Sequence, residues 1–114
     1  MLKIYGIKNC GSVKKAMAFF TVHDIKFEFI DLKKVSVDSD KIDYWLQHVD
    51  IIKLFNASSS TYRNLKLKEL NLDDDGKKEY LSRENMLIKR PVVEYNDKVL
   101  VAFDEEVYKK EFLS

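Results

Sequence analysis

The chain opens on an apolar run from Leu2 to Tyr5, broken by Gly6 and the polar pair Lys8-Asn9, the pattern of a strand leaving its sheet. Val13, Ala16, Met17 and Phe20 then fall at i, i+3, i+4 and i+7, so a helix with one buried face is expected directly after Cys10. Ile25, Phe27 and Phe29 alternate with Lys26 and Glu28, which predicts a second strand. The short connection through Val22 to Ile25 brings that strand back beside the first in a right-handed parallel crossover. The middle of the chain changes period. Ile42, Trp45, Leu46 and Val49 have helical spacing after the cap-rich Ser36–Asp40, and Tyr62 with Leu65 start another helical stretch after Ser58–Thr61. Asp73–Gly76 reads as a turn or cap before a third amphipathic stretch, Lys77 to Asn85. Val92–Tyr95 and Val99–Val101, separated by Asn96-Asp97, give a hairpin signal. Asp104 is an N-cap candidate for a last helix, with Glu105 and Glu106 in its first turn and Val107, Tyr108 and Phe112 on its buried edge. The order is βαβ, helices, ββα: an α/β chain with a mixed four-stranded sheet and an all-helical insertion at about residues 36–86.

Composition narrows what such a chain does. Its 114 residues, 46% hydrophobic, suffice for one packed domain. Twenty Lys and Arg against 19 Asp and Glu leave a formal charge of +1, so no basic footprint invites direct binding of nucleic acid. No apolar run approaches the roughly 20 residues of a membrane span, and the N-terminus lacks the core of a signal peptide. A cytoplasmic location without a membrane partner is expected. The one cysteine excludes an internal disulfide and a four-cysteine zinc site. His23 and His48 lack metal-ligand spacing, and Asp73–Asp75 lacks the alternating ligands of a calcium loop, so no metal is expected.

An isolated cysteine is more often a small buried hydrophobe than a nucleophile. Cys10 differs by position. At a helix N-terminus, free backbone N–H groups and the positive dipole end favour the thiolate, which is the nucleophilic form. Gly11 and Ser12 are small enough to admit a reaction partner, and Lys8 and Lys14 add positive potential.

Four blocks carry a resemblance to a known family: Tyr5-Gly6-Ile7-Lys8-Asn9-Cys10 with Val13–Ala16, Asn56–Leu65, Leu87–Val92, and Ala102–Glu106 with Tyr108. In register they resemble the arsenate reductase (ArsC)/Spx family, its YffB-like branch, over essentially the whole chain. The resemblance implies a thioredoxin fold with Cys10 as catalytic thiol and the loop residues Lys8, Asn9, Gly11 and Ser12 around the substrate. It also implies a cis proline at Pro91 facing the cysteine loop, and Arg90 as anion ligand through its bidentate fork. Arg63 is a further candidate cation at the site.

Departures from the family pattern shape the expected activity. Arsenate reducers of this family surround the cysteine with three arginines. Here only Arg90 matches, with Asn56 and the Ala102-Phe103 pair at the other two places. The expected reaction is that of a monothiol reductase, in which Cys10 forms an adduct with a glutathione disulfide or an oxyanion such as arsenate. With one cysteine, an external thiol must resolve it, and glutathione as co-substrate or a glutaredoxin as partner would do so. No bound cofactor is expected. The competing class is an Spx-like adaptor that docks on RNA polymerase without catalysis. Val13 stands where Spx proteins usually carry a second cysteine, so no internal disulfide switch is available.

Overall fold

A computed structural model describes all 114 residues. Strand β1 (Leu2–Gly6) pairs in parallel with β2 (Phe27–Asp31), placing Leu2 opposite Phe27 and Gly6 opposite Asp31. Helix α1 (Gly11–Val22) makes the crossover. Strand β3 (Val92–Tyr95) runs antiparallel to β1 on its other side, and β4 (Lys98–Val101) closes the sheet in the order β2-β1-β3-β4. The hairpin loop is Asn96-Asp97, both at positive φ (46° and 59°), as a two-residue type I′ turn requires. With α6 (Glu105–Phe112) packed on the sheet, these are the βαβ and ββα units of a thioredoxin-like fold.

The period of two along each strand sends side chains to opposite faces, and each face has its own core. Leu2, Ile4 and Val93 meet Ala16, Phe19 and Phe20 of α1 and Tyr108 of α6. Tyr5, Ile7, Val92 and Val99 meet the helical segment inserted between β2 and β3. That segment comprises α2 (Ser39–Leu46), the single-turn α3 (Ile51–Leu54), α4 (Ser60–Asn64) and α5 (Asp74–Arg83), with 3-10 turns at Leu67–Leu70 and Asn85–Leu87. Short polar side chains start its helices. Asp38, Ser59 and Asp73 accept the N–H groups of Lys41, Tyr62 and Gly76, each satisfying a donor that the first turn leaves free. The segment rejoins the sheet where Asn56 N–H donates to Leu87 O (2.8 Å) and Lys89 N–H to Leu54 O (2.7 Å), just before Arg90. No helix is long and apolar enough to cross a membrane.

Three boundaries and one burial differ from the pattern in the sequence. The second strand begins at Phe27 and leaves out Ile25, because Asp24 turns at φ 56° and Ile25 N–H returns to Phe20 O. The Trp45 helix ends at Leu46, so His48 and Val49 lie in the turn after it. The helix expected from Lys77, α5, starts at Asp74. Its acidic first turn favours the positive dipole end, and Gly76 is helical, not part of a turn. Val107 is 41% exposed, because the buried edge of α6 is carried by Tyr108 and the half-buried Phe112.

Candidate active site around Cys10

The cysteine sits where the sheet feeds a helix. After Gly6 the chain turns through buried Ile7 and exposed Lys8 and Asn9, and Cys10 N–H closes the turn on Ile7 O at 3.3 Å. Cys10 is the N-cap of α1, with extended backbone (φ −92°, ψ 125°) and a side chain that caps nothing, so the thiol is not engaged by its own helix. Its carbonyl accepts Lys14 N–H at 3.0 Å, the first intrahelical bond. The thiol is half-buried against the core on the insertion side. Approach is open: a Cβ built at Gly11 meets nothing within 4 Å, and Ser12 is exposed. Behind the loop the packing is tight. A Cβ on Gly6 would meet Val13 Cγ2 at 2.5 Å, so only glycine lets the first turn of α1 lie this close to the end of β1.

The second wall comes from the neighbouring strand. Tyr5 pairs with Val92, so the antiparallel register sets Pro91 beside Gly6 at the mouth of the cysteine loop. The Arg90–Pro91 bond is cis and Pro91 is buried. Pro91 O accepts Ala102 N–H (2.9 Å), and Ala102 O accepts the Tyr108 hydroxyl (2.9 Å), which ties the proline turn to α6. Arg90 is half-buried and forms no ion pair. Its Nη1 donates to Met86 O at 3.2 Å and contacts Met86 Sδ at 3.3 Å, while Nε is buried without a partner. A buried donor without an acceptor is unfavourable by about 1–3 kcal/mol.

Other expected residues lie elsewhere or are otherwise engaged. Arg63 is exposed on α4 and donates to Ser58 O at 2.9 Å, beside Lys66 and Lys68. Asn56 caps its own turn by accepting Ser58 N–H at 3.1 Å. Lys8 and Lys14 are exposed. Met86, which holds Arg90, had no signal in the sequence, since it lies in the single 3-10 turn Asn85–Leu87, too short to show a periodicity.

A model of the ArsC family matches residues 5–111. The chain belongs to the ArsC family. Among solved structures it is similar to a YffB protein, with 29% identity, TM-score 0.89, and 96% and 97% of the two chains covered. A Staphylococcus aureus COL protein is 36% identical over the full length of both chains, with TM-score 0.83. An arsenate reductase (ArsC) related protein from Brucella melitensis is 34% identical, with TM-score 0.75 and 97% and 93% coverage. These similarities extend over both the thioredoxin-like sheet and the helical insertion. In this ArsC-family chain the cysteine loop and the Arg90-Pro91 turn meet at one end of the sheet, whereas Arg63 donates to Ser58 O of its own loop.

Proposed function

We propose that this ArsC-family protein is a monothiol reductase that uses Cys10 and a small external thiol of the glutathione class. The Cys10 thiolate attacks the glutathione sulfur of a mixed disulfide. An S–S bond forms between Cys10 and glutathione, and the other sulfur leaves as a thiolate that takes a proton from solvent. A second glutathione thiolate then attacks the adduct, giving oxidised glutathione and the free Cys10 thiolate. In net terms one free glutathione is consumed: the substrate sulfur leaves as a thiol, and oxidised glutathione carries away the disulfide. The observation that supports this is an uncapped, half-buried thiol at the N-terminus of α1 with open space at Gly11.

Arsenate is the less suited electrophile. An oxyanion beside a thiolate needs several positive donors to offset like-charge repulsion. Arg90 is the one arginine available there, Asn56 is turned into its own loop, and lysine does not reproduce the bidentate fork. Intact-mass spectrometry after incubation with oxidised glutathione is expected to show one glutathione on Cys10 and none on Cys10→Ser. A coupled assay with arsenate, glutathione and glutaredoxin is expected to show weak turnover or none. An unmodified wild-type chain would reject the reductase, and vigorous Cys10-dependent arsenite formation would reject the disulfide preference.

A further inference from the structure

Charge is segregated along the insertion. From Ile51 to Lys68 the chain carries Lys53, Arg63, Lys66 and Lys68 and no Asp or Glu, although acids make up 19 of its 114 residues. The acids resume at Glu69 and gather at Asp73–Asp75, where they serve the first turn of α5. Arg63, Lys66 and Lys68 form no ion pair, whereas Lys41, Lys78, Arg83, Lys98 and Lys109 all do. The three free cations surround one concavity of about 400 Å³, with the Tyr62 ring in its wall and Glu69 as its one acid.

The wall is preorganised. Tyr62 packs edge-on against Phe55 with ring centroids 5.8 Å apart, and its N–H is held by Ser59 Oγ. The Arg63 guanidinium is anchored on Ser58 O, leaving its other donors free. Groups already fixed lose little freedom when a partner arrives. Apolar surface is present too, for Leu65 is 43% exposed and Leu70 53% exposed in the same short stretch of chain. A small anion would use neither leucine, and three exposed cations hold a lone small anion weakly in water. Tyrosine and arginine beside exposed apolar side chains are the composition of a protein-binding surface.

We propose that the surface of residues 57–70, with Tyr62, Arg63, Lys66 and Lys68 around its concavity and the exposed Leu65 and Leu70 in the same stretch of chain, docks an acidic segment of another protein, one whose carboxylates alternate with apolar side chains. Carboxylates engage the three cations, and apolar side chains cover the leucines. The interaction goes beyond the Cys10 chemistry and does not require it.

The test is a backbone-amide NMR titration of the full chain with a 12-residue Glu/Leu peptide, its Gln/Leu counterpart, sodium sulfate, and a single-stranded oligonucleotide of equal charge. Shifts from the Glu/Leu peptide are expected to concentrate between Ala57 and Leu70. Binding should weaken several-fold between about 50 and 300 mM salt. It should fall at least about tenfold in Arg63→Glu/Lys66→Glu/Lys68→Glu, whose spectrum stays dispersed because all three side chains are exposed. Cys10→Ser is expected to bind like wild type, which separates this surface from the reductase site. Four outcomes would each overturn the proposal: shifts spread over lysines elsewhere, equal binding of the Gln/Leu peptide, saturation by sulfate with the same shift map, or tighter binding of the oligonucleotide. Unaltered affinity in a folded triple variant would do so as well.

Discussion

Ala102 is held at φ 71°, a left-handed conformation that L-residues other than glycine, asparagine and aspartate rarely adopt. Two hydrogen bonds keep it there, from its N–H to Pro91 O and from Tyr108 Oη to its own carbonyl. Its backbone therefore links the proline turn to α6, and strain is retained at the edge of the candidate site. Ala102→Gly removes the Cβ conflict but gives the unfolded chain more freedom. The net expected effect is a stabilisation of about 0.5–1 kcal/mol, seen as a higher urea midpoint with unchanged slope. An equal or lower midpoint would mean that no strain is stored there.

Helix α2 is fastened to the sheet through one carboxylate. Glu94 of β3 accepts the Tyr5 hydroxyl (3.2 Å), the Lys41 ammonium (3.0 Å) and the Trp45 indole N–H (2.6 Å). Nothing in the period of Val92–Tyr95 marks Glu94 as more than the polar member of a strand; its three partners come from β1 and α2, far away in sequence. Glu94→Gln keeps the size but loses the charge that Lys41 faces, and a fall of about 2 kcal/mol in unfolding free energy is expected by denaturant titration. The pH dependence has a definite sign. Burial, with the Glu94 charge second, pushes Tyr5 above its usual 10.0. Lys41 is also raised, since its bond to Glu94 and the charges of Tyr5 and Glu94 outweigh burial, which acts the other way. Both groups hold their protons more tightly when folded. Their contribution is thus fully present below the unfolded values and is lost as pH rises through the folded ones. Stability should fall from pH about 10 upward, and less steeply in Tyr5→Phe, as denaturant titrations across that range would show. Equal slopes in the two proteins would exclude Tyr5 as a source.

At the scale of the whole molecule the candidate site is assembled from two strand ends, with Cys10 after β1 and Arg90-Pro91 before β3. Arg90 is held by Met86, forms no ion pair, and keeps a buried, unpartnered Nε. Arg90→Ala is expected to weaken glutathione binding by about 1.5–3 kcal/mol, tenfold or more by calorimetry, with the thermal transition still cooperative. Unchanged affinity would remove Arg90 from the site.

The amino-acid sequence by itself determined the βαβ and ββα units, the helical character of the insertion, the caps at Asp73 and Asp104, the Asn96-Asp97 hairpin and the place of the thiol before α1. These are local properties: periodicity, cap chemistry and turn preference act between residues within a few positions of one another. Tertiary structure alone decided that Val107 of α6 faces outward, where α2 stops, that Arg90 rests on Met86, that Glu94 gathers three donors, and that the free cations of the insertion share one concavity. Each of these depends on which distant segments pack together. Burial and hydrogen-bond partnership are set by neighbours in space, which a local pattern does not encode.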